Sequence, residues 1–332
     1  MDFGLSVELE PMEARLADTL PEGEGWQYEP KWDGFRCLAF KRGSSSIDLR
    51  AKSGKPLTRY FPEVVEYLRE LSVDRFVVDG ELVIEIGGRL SFEALQMRLH
   101  PAESRIKKLA KETPAKIILF DLLVAPDGQA LLDAPLEERR RSLETFAVSL
   151  PVNQRPSLSP ATSDMETAQE WLLTSGAGDL DGVVCKRRDG AYVPGERAMI
   201  KVKRVRTADC VVGGFRYQSK SDLVGSLLLG LYTEDGKLDH VGFTSTITEE
   251  ERPELTKRLG ALGEPPGFTG KAPGGPSRWS TGRTSEWQPL KPELVVEVRY
   301  DQVTGHRFRH GTKLVRWRPD KRPSQCTFEQ IR

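Results

Sequence analysis

The chain of 332 residues lacks most features that would assign it to a class at once. It has no net charge, because 49 Lys and Arg balance 49 Asp and Glu. Such a balance gives no general attraction to a polyanion, so any nucleic-acid footprint has to be local. Long hydrophobic runs are missing too. Stretches such as Ile117–Phe120 and Leu227–Leu229 fall far short of the ~20 residues that cross a bilayer, so no membrane partner is expected. The opening residues Met1-Asp2-Phe3-Gly4 lack a basic region followed by an apolar core, and no secretion signal is read there. Cysteine is scarce: Cys37, Cys185, Cys210 and Cys326 are scattered, with no CxxC pair and no histidine cluster beside them. That spacing excludes a zinc finger and offers no disulfide framework, so the four read as small buried hydrophobes. No internal repeat is apparent. Together these absences describe a cytoplasmic globular chain of about two domains.

What is present is unevenly spread. Residues 1–204 hold 29 basic and 33 acidic side chains, whereas residues 205–332 hold 20 and 16. Between Arg278 and Arg322, 11 basic residues face 5 acidic ones. A basic strip of this kind suits a phosphate backbone, or else a salt-bridged solvated face.

Periodicity indicates two textures. In the first 204 residues, strand patterns run over Trp26–Arg50, Arg75–Ile86, Ile117–Val124, Asp181–Arg187 and Met199–Lys203. Helical patterns run over Pro62–Leu71, from Phe92 after Ser91 as cap, over Leu136–Leu150, and over Met165–Ser175 up to Gly176. After Arg204, five short strands are expected, at Val211–Phe215, Gly225–Tyr232, Leu238–Phe243, Leu294–Tyr300 and Lys313–Arg318. One helix is expected at Glu249–Leu262 and a long loop at Pro265–Pro292. The fold class expected is α+β: a domain of mixed antiparallel sheets and helices over 1–204, then a Greek-key OB-type β-barrel over 205–332.

The hexapeptide Lys31-Trp32-Asp33-Gly34-Phe35-Arg36 carries the most chemistry. A lysine amine can attack the α-phosphate of a nucleotide and keep the monophosphate, provided nearby cations and a dry pocket favour its neutral form. Asp33-Gly34 also fits a plain tight turn. Further groups follow in order: Asp79-Gly80-Glu81, Phe120-Asp121, Asp181-Gly182-Val183-Val184-Cys185-Lys186, Lys201-Val202-Lys203 and Arg316-Trp317-Arg318-Pro319-Asp320-Lys321. Singly, each has a dull reading. Asp79-Gly80 and Asp181-Gly182 fit hairpin turns, Phe120 fits core, and the lysines fit a solvated strand face. Their joint order and spacing do not arise easily by chance.

With these motifs the chain resembles the covalent nucleotidyltransferases, and among them the ATP-dependent DNA ligases of the bacterial stand-alone ligase C type. Arg59-Tyr60-Phe61-Pro62-Glu63, Phe92-Glu93-Ala94-Leu95-Gln96, His100-Pro101-Ala102 and Trp317–Thr327 extend the likeness over nearly the whole chain. The resemblance implies sealing of 3′-hydroxyl/5′-phosphate nicks through an AMP adduct on Lys31. ATP would be the donor, with Mg²⁺ or Mn²⁺, and nicked duplex DNA the partner. NAD is not expected as donor. It further implies that Glu29 accepts from the adenine amino group, and that Asp33 and Arg36 engage the ribose side. Phe120 and Val184 would sandwich the base, with Lys186 close by. Glu81 and Asp181 would hold metal and ribose. Lys201 and Lys203 would grip the α-phosphate and favour the neutral Lys31 amine by like-charge repulsion. Arg197 would touch the 5′-phosphate of DNA, and Arg316, Arg318 and Lys321 would serve DNA or the outer phosphates of ATP. A hinge is implied near Arg204–Thr207.

Two departures stand out. Asp181 replaces the Glu of many relatives, drawing the charge back by one methylene. Lys52 replaces an arginine, keeping the charge but losing the bidentate fork. RNA joining, mRNA capping and a non-catalytic nick-binding role are the competing readings. Any repair polymerase or end-binding protein would be a separate chain.

Overall fold

The computed structural model describes residues 5–150, 156–175, 180–274 and 286–331. Gly176, Arg278 and the centre of the Pro265–Pro292 loop lie outside the described residues. The chain divides into two compact units, Met1–Arg204 and Val205–Arg332.

The first unit contains β1 (Ala14–Ala17), β2 (Trp26–Trp32), β3 (Phe35–Arg42), β4 (Ser46–Ala51), α1 (Pro62–Glu70), β5 (Arg75–Ile86), β6 (Arg89–Leu90), α2 (Phe92–Arg98), α3 (Glu103–Glu112), β7 (Ala115–Val124), α4 (Leu136–Ser149), β8 (Ser157–Leu158), α5 (Met165–Thr174), β9 (Leu180–Arg187) and β10 (Met199–Val202). Two sheets form, with strand orders β1-β10-β9-β2 and β4-β3-β5-β7-β8. Their cores follow the two-residue period of a strand. Cys37 and Ala39 of β3 and Phe76, Val78, Leu82 and Ile84 of β5 pack with Val64, Leu68, Leu95, Leu143 and Phe146 from the helices. The alternate residues Leu38, Phe40 and Val77 pack instead with Met12, Tyr192 and Met199. Tyr28, Val183, Cys185, Ile200 and Val202 pack with Ala168 of α5.

Helix ends follow local chemistry. Ser91 Oγ accepts from Ala94 N at 3.2 Å and starts α2. The α1 C-terminus is held by the buried Lys41, whose Nζ donates to the carbonyls of Leu68, Arg69 and Leu71 at 3.0, 2.9 and 2.7 Å. Helix α3 and strand β1 add to the elements expected from periodicity. Only Ile106 and Ala110 of α3 are buried, too few to mark an apolar stripe. Asp79-Gly80 and Asp181-Gly182 lie inside β5 and β9 and make no hairpin turn.

The second unit contains β11 (Arg206–Tyr217), β12 (Val224–Tyr232), β13 (Leu238–Thr244), α6 (Arg252–Gly260), β14 (Gln288–Pro289), β15 (Val295–Tyr300), β16 (Val303–Thr304), β17 (Arg307–Phe308) and β18 (Lys313–Trp317). The five main strands run in the order β13-β12-β11-β15-β18. The ladder itself is open, and an isolated bridge between Thr244 and Thr312 ties its two edges. Helix α6 is shorter than its apolar pattern suggests; Leu255 and Leu259 enter the core, while Arg252 folds back on Val224 O, Ile247 O and Glu249.

Candidate active site

Strand periodicity sorts the motif side chains onto common faces. On β2, Glu29 and Lys31 share a face, because Tyr28 points into the core against α5. Val184 and Lys186 on β9 and Met199 and Lys201 on β10 share one in the same way, since Val183, Cys185, Ile200 and Val202 point away. The other sheet contributes Arg36 from β3 and Glu81 from β5, which stand opposite each other in the antiparallel register. These side chains, with Lys52 and Phe120, line one cavity of about 1000 Å³.

Gly34 lets the chain step from one sheet to the other. A Cβ there would lie 2.2 Å from Leu82 O and 2.8 Å from Glu81 Cγ, so only glycine permits the close approach. Gly182 has φ +140°, and a Cβ would meet Val202 O at 2.1 Å. It is paired with Lys31 across the β2/β9 ladder. Phe120 owes its position to a β-bulge. The ladder pairs Asp79 with Asp121 and Gly80 with Leu119, which leaves Phe120 as the extra residue.

Charges in and behind the cavity wall are tightly paired. Lys31 Nζ lies 2.5 Å from Asp181 Oδ2, and Lys203 Nζ lies 2.9 Å from the same oxygen. Burial pushes the Asp181 carboxyl up, but Lys31 and Lys203 outweigh it and hold the group below its ordinary value. Burial, reinforced by Lys31 and Lys203, lowers the Lys201 pKa. Glu29 is 2% exposed and takes Lys186 at 2.9 Å on one oxygen and Gln27 at 2.8 Å on the other. Lys186 Nζ also sits 4.9 Å above the Phe120 ring, and the Arg36 guanidinium 5.4 Å from it. Arg36 forks onto Asp79 at 3.0 and 2.6 Å. Glu81 has the opposite problem. Burial, with Asp79 and Asp33 nearby, pushes its pKa up to about 7 against the pull of Lys31 and Arg36.

Lys52 stands at the edge of this cavity, and the remaining sequence-derived residues lie outside its lining. Asp33 sits in the crossover between β2 and β3. Lys52 and the exposed Arg197 converge on Glu13, at 2.9 and 3.8 Å. Arg316, Arg318 and Lys321 belong to the second unit. There Arg318 and Lys321 share Asp209, at 2.8 and 2.5 Å, and Arg316 pairs with Glu297 at 2.6 Å. Glu13, Gln27, Asp79, Tyr192 and Asp209 are given no role by the sequence, each being paired with a residue distant in the chain or standing outside any motif. Asp79 alone offers a signal: it lies two residues before Glu81, on the same strand face.

Comparison with known proteins bears on both units. Residues 10–203 match the family described as ATP dependent DNA ligase domain, and residues 220–321 match the ATP dependent DNA ligase C terminal region. DNA ligase C1 of Mycolicibacterium smegmatis is 44% identical over 341 residues, covering 100% of this chain and 96% of that protein. DNA ligase C of Mycobacterium tuberculosis is 42% identical, with coverage of 100% and 96%. A solved mycobacterial DNA ligase D, complexed with ATP and MES, is 30% identical, with a TM-score of 0.51 over 97% of this chain and 98% of that one.

Proposed function

This chain belongs to the ATP-dependent DNA ligases, and from that premise we propose that Lys31 is the residue that carries AMP. The observation behind this reading is the Lys31 amine in a cavity that also holds Phe120, the buried Glu29 and further cations.

Three transfers follow. The Lys31 Nζ lone pair attacks the α-phosphorus of ATP, the bond to the bridging oxygen breaks, and pyrophosphate leaves. The amine sheds a proton, and Asp181 Oδ2 is already within hydrogen-bond reach of it. An oxygen of the DNA 5′-phosphate next attacks the phosphorus of lysyl-AMP. The P–N bond breaks, and Lys31 regains its proton. Finally the 3′-hydroxyl oxygen attacks the adenylylated 5′-phosphorus and loses its proton. The P–O bond to AMP breaks, and AMP departs.

Each side chain then has a task. Phe120 and Val184 take the two faces of the adenine, while Glu29 accepts from its amino group and Lys186 holds Glu29 in place. Arg36 and Asp33 engage the ribose side. Lys201 and Lys203 grip the α-phosphate, which would relieve their repulsion of Lys31 and of each other. Lys52 takes a nucleotide phosphate and Arg197 the DNA 5′-phosphate, Arg316 takes a DNA phosphate, and Arg318 and Lys321 take the outer phosphates of ATP.

Glu81 and Asp181 are the carboxylates assigned to Mg²⁺ or Mn²⁺. Among the described residues no three acid, His or Cys side chains are gathered for a metal. Two carboxylates completed by phosphate oxygens match what Mg²⁺ accepts at a nucleotide. The raised Glu81 pKa marks a carboxylate short of positive charge, which fits such an ion. When bound, the ion neutralises phosphate charge.

Nicked duplex DNA is the substrate in this reading. Repair polymerases or end-binding proteins would be separate chains, and the enzyme would act in the cytoplasm, on the nucleoid. Among the described residues no helix is long and apolar enough to cross a membrane. The test is incubation with α-labelled ATP and Mg²⁺, then denaturing electrophoresis. A covalent AMP band is expected with the native chain and none with Lys31→Ala. A Lys31→Ala protein that still carries AMP overturns the assignment.

A further inference from the structure

Behind the cavity wall lies a buried polar brace whose members have no assigned role. The Tyr192 ring is 3% exposed, and Asp79 is fully buried. Tyr192 Oη accepts from Met12 N at 3.0 Å and donates to Asp79 Oδ2 at 2.6 Å. The same carboxylate holds both arms of the Arg36 fork. On its other side the Tyr192 ring lies 5.7 Å from the guanidinium of Arg139. Arg139 is itself forked onto Asp121, at 2.8 and 3.0 Å, and Asp121 is the neighbour of Phe120 at the β7 bulge. Arg139 Nη1 is anchored on Ala134 O at 2.7 Å and Gly190 O at 3.0 Å.

We propose that Tyr192 is a positioning residue for the nucleotide, acting through Asp79 on Arg36 and through Arg139 on the bulge that presents Phe120. This inference rests on the reading that Arg36 and Phe120 touch the nucleotide. Its physical basis is that an arginine side chain has many rotamers, and burial alone does not select one. A carboxylate held at both oxygens fixes the plane of the fork. The Tyr192 hydroxyl is the third donor to that carboxylate and ties it to the backbone of Met12. Without the hydroxyl, Asp79 can rotate, and the Arg36 fork rotates with it. The loss falls on the pre-organisation of the site and not on any group that reacts.

The experiment is a double-mutant cycle on self-adenylylation, with Tyr192→Phe, Arg36→Ala and the pair. Melting temperatures set an assay temperature at which all the proteins are folded. Tyr192→Phe is expected to raise the KM for ATP by about 10- to 100-fold, the range for losing one hydrogen bond to a charged group. The kcat should change little, because Lys31 and Asp181 are untouched. In the double variant the Tyr192→Phe effect should vanish, because the lost hydroxyl acts only through Asp79 on Arg36, while Phe keeps the ring that meets Arg139. Additive effects, or a fall in kcat with KM unchanged, would overturn the proposal and leave Tyr192 as scaffold. Arg36→Ala with an unchanged KM would instead show that the assignment of Arg36 to the nucleotide is wrong.

Discussion

Arg139 and Lys186 in the first unit are drawn into buried pairs with Asp121 and Glu29, whereas Arg318 and Lys321 in the second stay about a fifth exposed and share a single Asp209. Arg318 is held in addition by Asp320 at 2.8 Å. The difference is one of exchangeability. Removing a buried pair's partner strands a charge in a poor solvent, so those cations are fixed before a ligand arrives. A partly exposed cation can trade a carboxylate for a phosphate at small cost. The buried pairs of the first unit therefore resist exchange, and the more exposed pairs of the second are the ones that can release and re-form. The composition hints at a basic strip between Arg278 and Arg322. At its core Arg316, Arg318 and Lys321 are already matched by Glu297, Asp209 and Asp320.

The harshest way to break this comparison is at Asp181, which lies on the boundary between fixed and exchangeable. It is mostly buried, yet it shares Lys31 and Lys203, which are about a quarter exposed. Asp181→Ala is expected to reduce nick sealing by at least ~100-fold, as for loss of one electrostatic stabiliser. Asp181→Glu should retain most of the activity, since it keeps the negative charge and lengthens the side chain by only one methylene. Sealing by Asp181→Ala at the native rate would make this carboxylate structural.

A smaller and more selective effect is expected in the second unit. Arg318→Ala and Lys321→Ala should slow self-adenylylation by about 10- to 100-fold, yet still seal a nick supplied with its 5′ end already adenylylated. Such a substrate has no β- or γ-phosphate to grip. Equal loss in both assays would show that these side chains work by binding DNA. In that case the salt dependence of nick affinity should weaken by about one unit of slope for each DNA phosphate no longer neutralised.

Sequence and structure agree best where chemistry is local. Lys31, Glu29, Glu81, Val184, Lys186 and Lys201 each lie in a strand whose two-residue period is legible, and the fold brings them to one cavity. What stays hidden is long-range. Tyr192 reaches Met12 and Asp79 across most of the first unit, and Asp209 meets Arg318 and Lys321 across most of the second. No spacing rule connects such partners. The glycines of Asp79-Gly80 and Asp181-Gly182 mislead for a related reason. A hairpin and a close strand crossing both demand glycine, and only the neighbouring strand tells them apart. A Cβ at Gly80 would lie 2.6 Å from Ile118 O on β7.

The mildest test concerns acids whose pKa values move in opposite directions in the two units. Asp320, paired with Arg318, is pushed down to about 2, and Glu297 lies below its ordinary value because Arg316 binds it. Glu81 is pushed up to about 7 from an ordinary 4.5. Between those two pH values the folded protein binds the Glu81 proton and the unfolded chain largely does not. Stability from this group therefore falls as pH rises through that window, and the penalty is complete above pH 7. The depressed acids are ionised in both states across the same window and contribute no slope there. Glu81→Gln should accordingly raise the melting temperature at ~pH 8 by a few degrees and do little at ~pH 5. Activity should run the other way. A protonated Glu81 cannot bind a cation, so native sealing at limiting Mg²⁺ should fall as pH drops through 7, and excess Mg²⁺ should shift that fall to lower pH. A melting gain of equal size at both pH values would mean that Glu81 is not the carboxylate short of positive charge, and the metal assignment would pass to Asp181 alone.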